Sequence, residues 1–491
     1  MVEVWEDGVV HEAGDETLVR HTAVYFVANL LVGAAGFAAT AIFTRIYEPD
    51  DYGIYVLAGT LAAMLGSFTF TWLRVAVLRF ASEGEHVDIR RTALGGLVLT
   101  SPVLVIAAVA FGIARVPWPA AIGAALISAS LSAFELHQEL LRAALAVKRY
   151  AVTTVVRATG FVVLGITFHE IGAGPYSLPL ALTSSYLVAC LTAASRIWRG
   201  DLAPFDRSEA RRLWRFGWPT TIAAVLLAAY SGVDRLVVTA IEGAAAGGAY
   251  GAVADTTRQL ILVPAAAMGG SLVPLAVRRF ANDGPDAARE QLRSGFEVLL
   301  AALTPMVVGL ALVGSDLANV ILGPEFSGVG HQVMPILAIV WFGQVITQDY
   351  IHISFHLATA SKYMVFQAVV ALGVHVVLSI PATLAFGPRG AAGAAVAAEA
   401  ISVCFGFFLA RRCFPLPTPA RAIGRVAAAT GAMVAVVLLL KLATDGLAYV
   451  PRIGIQAVAG AITYGAVALA GDLAGSRAML ARRYKSQRTR S

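Results

Sequence analysis

The sequence predicts an all-α polytopic membrane protein of about fourteen transmembrane helices, arranged as two parallel, pseudo-twofold six-helix bundles with two appended helices. Three observations predict it. Of 491 residues 58% are hydrophobic and only 14% charged, against about 25% charged in soluble domains, so the chain cannot wrap itself in water-exposed surface. Apolar runs of spanning length follow one another from Ala23 to Leu473, separated by loops too short to be domains. A short phrase also recurs: Val77, Arg79, Phe80, Ala81 and Gly84, then Val277, Arg279, Phe280, Ala281 and Gly284, each ending an apolar segment opened by a Tyr-Gly pair, Tyr52-Gly53 or Tyr250-Gly251. Such a repeat marks a duplicated half.

The first half holds spans near 22–44, 53–74, 92–114, 119–141, 151–169 and 177–195 within a unit 1–200. The acidic stretch to Thr17 lacks a basic region, and no small-residue cleavage site follows, so the first span is a retained helix and not a cleaved signal. The Arg-rich segment Arg196–Arg215, with Pro204 inside it, links the halves. The second half, 201–412, holds spans near 217–241, 250–277, 295–314, 332–351, 363–386 and 390–410. Spans near 423–443 and 453–474 and a basic tail complete a third unit, 413–491. Gly33, Gly36, Pro305 and Pro335 permit close helix approach and kinks, while Pro264 and Pro274 are expected to bend the eighth span into a gate.

The net charge of +6 implies no nucleic acid, because the basic residues alternate between loops. One set of loops holds Arg74, Arg79, Arg90 and Arg91; Arg142, Lys148, Arg149 and Arg157; the Arg196–Arg215 linker; Arg278, Arg279, Arg289 and Arg293; Lys362; and Arg411, Arg412, Arg421 and Arg425. The other set holds only Arg45, Arg115, Arg235, Arg389, Lys441 and Arg452. The positive-inside rule places the first set, the tail and both termini in the cytoplasm, and the protein in the cytoplasmic membrane. Because each half has an even number of spans, both enter from one side, and an axis along the membrane normal relates them. Cys190, Cys404 and Cys413 have no CxxC spacing, so neither a disulfide framework nor a zinc site is expected. No GxxxxGK[ST] P-loop occurs, which argues against ATP hydrolysis, and no cofactor is expected.

Several segments carry a family likeness. The run from Arg45 to Tyr55, Asp234-Arg235-Leu236, Gly248-Ala249-Tyr250-Gly251, Leu141-Arg142-Ala143 and Arg149-Tyr150-Ala151 resemble, in order and spacing, the polysaccharide-exporting (Wzx-type) branch of the multidrug/oligosaccharidyl-lipid/polysaccharide flippase superfamily. The resemblance implies a MATE-like fold. It also implies a flippase that moves a polyprenyl-diphosphate-linked glycan between leaflets by alternating access, its partners being membrane lipid and that glycan, with polysaccharide polymerase and glycosyltransferases beside it.

A cargo with an anionic diphosphate, a bulky polar sugar and an apolar tail calls for arginines inside the membrane, where an unpaired charge costs about 2.5–3.5 kcal/mol. Arg45, Arg142, Arg235 and Arg258 are the candidate diphosphate or sugar ligands, since a guanidinium can bind phosphate with two parallel bonds. The plainer alternatives are an Asp255–Arg258 pair at i,i+3, a snorkelling Arg235, and an Arg45 paired with Glu48, Asp50 or Asp51. Glu135, Glu139 and Arg142 follow i, i+4 and i+7 and line one stripe, with His137 pointing elsewhere. Glu135, Glu139, Asp234 and Asp255 are candidates for ion coupling, and the alternative for the stripe is a salt-bridged helix end. Arg79 and Arg279 are a candidate cytoplasmic gate, or positive-inside anchors. Asp349, His352 and His356 lack the glutamate of HExxH, and a hydrogen-bonded role is expected there in place of metal. A multidrug/cation antiporter of the same fold would favour an acidic cavity, whereas the intramembrane charges here are mixed. A membrane glycosyltransferase or ligase would present a sizeable outer loop, and the outer segments, such as Gly314–Gly330, are short.

Overall fold

A computed structural model describes residues 9–81, 88–198, 202–269 and 272–473, with side chains from Val27 onward except at 29, 195, 196 and 266–269. Gly84 of the repeat, Arg199 of the linker, the tail arginines and the side chains of Arg196 and of the acidic stretch lie outside the described residues. The described residues form fifteen helices and no strand: α1 Val9–Ile46, α2 Pro49–Phe80, α3 Arg90–Ile113, α4 Trp118–Ala143, α5 Val147–Glu170, α6 Ser177–Ile197, α7 Arg207–Glu242, α8 Ala244–Gly269, α9 Leu272–Asp283, α10 Pro285–Ile321, α11 Pro324–Ile346, α12 His352–Leu357, α13 Lys362–Cys413, α14 Ala420–Ala443 and α15 Tyr449–Ala470. Eleven helical segments among the described residues are long and apolar enough to cross a bilayer, so this is a multi-pass membrane protein.

Local sequence sets the ends. Proline opens α4, α10 and α11, where its missing N–H would be unpaired in any case. Left-handed residues stop helices at Arg115, Leu145, Gly172, Gly243 and Gly284. Within α13, Gly387 adopts φ 59° and ψ −144° just before Pro388, a conformation open to glycine alone, and this turn separates the two spans expected at 363–386 and 390–410.

The eighth span departs from expectation. It is not one bent helix over 250–277: α8 ends at Gly269, and Pro274 sits in the first turn of a separate helix, α9, where no hydrogen bond is lost to it. The second copy of the repeated phrase therefore lies on short α9, whereas the first copy ends the continuous 32-residue α2.

The chain packs as two compact units, Met1–Tyr47 with Ile54–Ala228, and Glu48–Gly53 with Ala229–Ser491. In the first unit α4 packs on α3, α5 and α6, and α1 packs on α5. The early turns of α4 present Ala120, Ala121, Gly123, Ala124, Ser128 and Ser132 to these neighbours, small residues that let helices approach closely in lipid. A core of Phe70, Trp72, Leu73, Val77, Leu136, Leu140, Leu141 and Leu213 lies toward its basic end. There the Arg90 guanidinium bonds both carboxyl oxygens of Asp88, at 2.8 and 2.7 Å, and holds that carboxyl below its ordinary range. Another Arg90 nitrogen donates to the Ile197 carbonyl at 2.5 Å.

In the second unit α10 packs against α8, α9, α11, α14 and α15. The appended pair is fastened along α10 by polar contacts: Tyr464 Oη donates to Ala301 O at 2.6 Å, Lys441 Nζ to Leu312 O at 2.8 Å, and Arg452 pairs with Asp316 at 3.2 Å. Arg452 also reaches Asp445 at 3.1 Å. In this unit the segment Glu48–Gly53 meets the start of α8 backbone to backbone. A Cβ on Gly53 would fall 1.9 Å from Ala244 O, and one on Gly248 2.7 Å from Gly53 Cα. Both family-like glycines are thus required by contact distance.

Gly53→Ala is expected to lower the thermal midpoint of the detergent-solubilised protein by several degrees, since forcing a methyl into a filled contact costs about 1–3 kcal/mol. Gly59→Ala on the same helix, where a Cβ meets nothing within 4 Å, is the control and is expected to leave the midpoint unchanged or slightly raised.

Candidate functional site

Each unit carries its own charged cluster on spanning helices. In the first, the α4 stripe is realised as two carboxylate–arginine pairs. Arg74 of α2 reaches Glu135 at 3.5 Å, and Arg142 reaches Glu139 at 3.1 Å. Arg142 also donates to Tyr150 Oη at 2.7 Å, with its guanidinium 4.9 Å from that ring's centre. Exposure is unequal across the second pair: Glu139 is 7% exposed and Arg142 43%. The carboxylate is thus held inside while the arginine side chain stays partly exposed. Gln138 locks α4 to α5, donating to Thr154 at 2.6 Å and accepting from Thr153 at 3.0 Å.

His137 does point elsewhere. Trp198 Nε1–H donates to His137 Nε2 at 3.0 Å, which leaves the ring proton on Nδ1 for the Ala133 carbonyl at 2.8 Å. The outcome for the stripe is a salt-bridged helix, with Arg74 as a member that sequence reasoning had counted only as a topology marker.

In the second unit, Arg235 of α7 crosses to α8 and grips Asp255 with two nitrogens, at 2.7 and 3.4 Å. Its side chain is 16% exposed and that of Asp255 32%, so this is a partly buried cross-helix ion pair and not a snorkelling residue. This overturns the Asp255–Arg258 pair expected from i,i+3 spacing. Asp255 has taken the cation offered by the neighbouring helix, and Arg258 lies instead over the Trp341 ring, 5.9 Å from its centre. Asp234 accepts from Tyr250 Oη at 2.7 Å and from the Arg235 backbone N–H at 2.9 Å. The Arg235 Nε is buried without a hydrogen-bond partner among the described residues, one donor in reserve.

One turn along α7, Tyr230 Oη donates to Glu399 Oε2 at 2.5 Å, and Thr347 Oγ1 donates to Oε1 at 3.1 Å. His375 meets the Tyr230 ring edge-on, 5.3 Å between centres. A Cβ at Gly343 would lie 2.4 Å from Glu399 Cγ, so that glycine makes the room the carboxylate occupies. Sequence reasoning missed this group, although a lone acid inside the apolar run 390–410 was its visible signal.

The remaining candidates stand apart. Arg45 closes α1 with Nη1 on the Ala41 carbonyl at 2.5 Å. Arg79 lies exposed in the last turn of α2, and Arg279 pairs with Asp283 on α9 at 3.0 Å. The π-helical turn Thr347–Ile351 breaks the register of Asp349 with His352 and His356, and among the described residues no three His, Cys, Asp or Glu side chains converge as metal ligands.

Arg235→Ala is expected to lower the thermal midpoint far more than Arg142→Ala. Arg235→Ala breaks a two-nitrogen pair between helices, whereas Arg142→Ala breaks a pair within one helix whose arginine is 43% exposed; an exposed pair is worth about 0.2–1 kcal/mol and a more buried one more. The double change Arg235→Ala with Asp255→Asn is expected to recover much of the loss, and equal midpoints for the single variants would refute the assignment.

Most of the chain has known relatives in fold. Lipid II flippase MurJ, in an inward closed conformation, superposes with a TM-score of 0.73 at 17% identity, over 91% of this chain and 98% of that one. An inward-facing multidrug resistance MATE family transporter of the MOP superfamily gives 0.53 at 15% identity, over 80% and 94%. A MATE transporter of Vibrio cholerae gives 0.52 at 13% identity, over 81% and 96%. No curated protein matches in sequence. The polysaccharide biosynthesis protein family matches residues 18–280, a stretch holding α2 to α8 and both charged pairs of the stripe. The chain therefore belongs to the polysaccharide biosynthesis protein family and has the fold of the MOP flippase superfamily.

Proposed function

We propose that the protein is a flippase that carries a polyprenyl-diphosphate-linked oligosaccharide from the inner to the outer leaflet of the cytoplasmic membrane by alternating access, for assembly of a cell-surface polysaccharide. Both termini lie in the cytoplasm, and glycosyltransferases and a polysaccharide polymerase act before and after it. One observation carries the reading: in a chain of the polysaccharide biosynthesis family, Arg142 on a spanning helix is backed by a buried carboxylate and by Tyr150 Oη while its side chain stays 43% exposed.

The mechanism follows from ligand exchange. Three of the guanidinium groups are neutralised by a carboxylate, Arg142 by Glu139, Arg74 by Glu135 and Arg235 by Asp255. A diphosphate offers more acceptor oxygens and more charge than one carboxylate, so it displaces the carboxylate from the arginine it meets. The displaced carboxylate cannot stay charged and unpaired in a low-dielectric site, and it takes up a proton or a cation. Cargo binding and ion binding are thereby linked, which assigns Glu135, Glu139 and Asp255 to coupling, with Asp234, held by Tyr250 Oη and the Arg235 backbone N–H, as a further coupling carboxylate beside Asp255. Arg45 and Arg258 serve as further contacts to the head group, and Arg79 and Arg279 gather anionic head groups at the cytoplasmic side.

Glu399 favours a second reading, a multidrug/cation antiporter. Its two described partners are hydroxyl groups, and a carboxylate so placed can accept a cation. Drug-resistance and cation-uptake assays separate the two. The chemistry of either reading is transport, and no glycosyl transfer is expected from the purified protein.

In proteoliposomes, Arg142→Ala is expected to slow translocation of a fluorescent oligosaccharide diphosphate lipid about ten- to a hundredfold, the loss of one charge-assisted contact of about 1.5–3 kcal/mol. Arg115→Ala is expected to leave the rate unchanged. Full transport by both Arg142→Ala and Arg235→Ala would remove these residues from the site.

A further inference from the structure

Counted with the cytoplasmic loops on sequence, Arg157 stands well inside a spanning helix. It lies ten residues along α5 from Val147, about 15 Å of helix, and it is the only charged residue of the run 150–168. That places it near the middle of a hydrocarbon layer about 30 Å thick. A snorkelling arginine sits near a helix end, where its side chain reaches the head groups, and Arg157 does not.

Its flank of the helix is an inward one. Tyr150, Thr153 and Arg157 follow i, i+3 and i+7 along α5, beside the buried Thr154, Ala158 and Phe161. Val152, Thr159, Val163 and Ile166 are exposed and take the opposite flank, the lipid side. The Tyr150 hydroxyl accepts from Arg142, so Arg157 sits two turns deeper on the flank that already holds Arg142.

Arg157 lacks the carboxylate that its neighbours have. Glu135 is taken by Arg74 and Glu139 by Arg142, and among the described residues no acid pairs with Arg157. The partner described for it is neutral: the ring centre of Tyr186, on α6, lies 5.7 Å from Arg157 Cζ. Close to the limit of about 6 Å, such a cation–π contact recovers only part of the cost of a charge at the bilayer centre. Tyr186 also lies within electrostatic reach of Glu135, which ties Arg157 to the stripe on α4. When Arg74 with Glu135 and Arg142 with Glu139 have cancelled, the charge left over in this cluster is that of Arg157.

We propose that Arg157 is an inner binding station for the anionic diphosphate of the cargo, reached after Arg142, with Tyr186 backing its guanidinium. The proposal rests on the flippase reading and deepens it. A diphosphate supplies the negative charge that the cluster lacks, and a planar guanidinium can hold it by two parallel bonds. The spacing suits a handover, since Tyr150 and Arg157 are about 10 Å apart along α5 and an anion leaving the first arginine meets the second within the length of its own head group.

The test measures binding of a short polyprenyl diphosphate, and of the uncharged polyprenol of the same length, to the full chain in phosphatidylcholine nanodiscs. Arg157→Gln is expected to weaken the diphosphate probe about ten- to a hundredfold and to leave polyprenol unchanged, with Arg157→Lys recovering part of the loss. Equal weakening of both probes would mean that Arg157 only holds α5 to α6, and an unchanged diphosphate affinity would mean that it meets no anion; each overturns the proposal. Displacement of the probe by added phosphatidylglycerol, lost in Arg157→Gln, would make this a site for lipid head groups and overturns it too. Translocation in proteoliposomes separates the site from the flippase reading. No transport by the unaltered protein, with Arg157-dependent diphosphate binding intact, sinks that reading and leaves the site; full transport and binding by Arg157→Gln sinks the site alone; no diphosphate binding by the unaltered protein sinks both.

Discussion

Hydrocarbon offers no water to a charged group, and the rest of this structure is arranged around that constraint. An arginine can stand on a spanning helix only if something nearby accepts its hydrogen bonds, and the acceptors here come mostly from other turns or other helices. Arg235 and Asp255 join α7 to α8, Arg74 and Glu135 join α2 to α4, and Arg452 and Asp316 join α15 to α10. Each pair fixes the rotation of two helices about their axes, something apolar packing against lipid does weakly. The charged pairs thus also fix the register of the scaffold.

The same pairs differ in how firmly they are closed. Arg235 is mostly buried with two nitrogens on one carboxylate, and it resembles a structural clamp with one donor to spare. Arg142 is half exposed over a buried Glu139, and it resembles a hand already open. A carrier needs both kinds, since a site made only of clamps would never exchange and one made only of exposed pairs would not hold its helices in place.

Much of the fold could be read in the sequence, because bilayer thickness converts directly into run length, and the apolar runs from Ala23 to Leu473 fall on helices. The break between α8 and α9 could not: Pro264, Pro274 and the small residues around them suit a bent helix as well as two helices. Within the candidate site, pairs along one helix were legible from spacing, as Glu139 with Arg142 shows. Pairs between helices were not, because Asp255 has equally good sequence claims on Arg258 and on any arginine of a neighbouring span. Tertiary placement decided for Arg235.

The fastening of α14 and α15 along α10 has a consequence for biogenesis. Asp316 enters the membrane with α10, long before Arg452 has left the ribosome, and Lys441 reaches the Leu312 carbonyl only when α14 follows. Until then the second unit holds a carboxylate near the end of a spanning helix without its cation. Insertion of the final helix pair is therefore the event that closes the unit, and a chain stalled or truncated before α15 would expose a charge in lipid that membrane quality control can recognise.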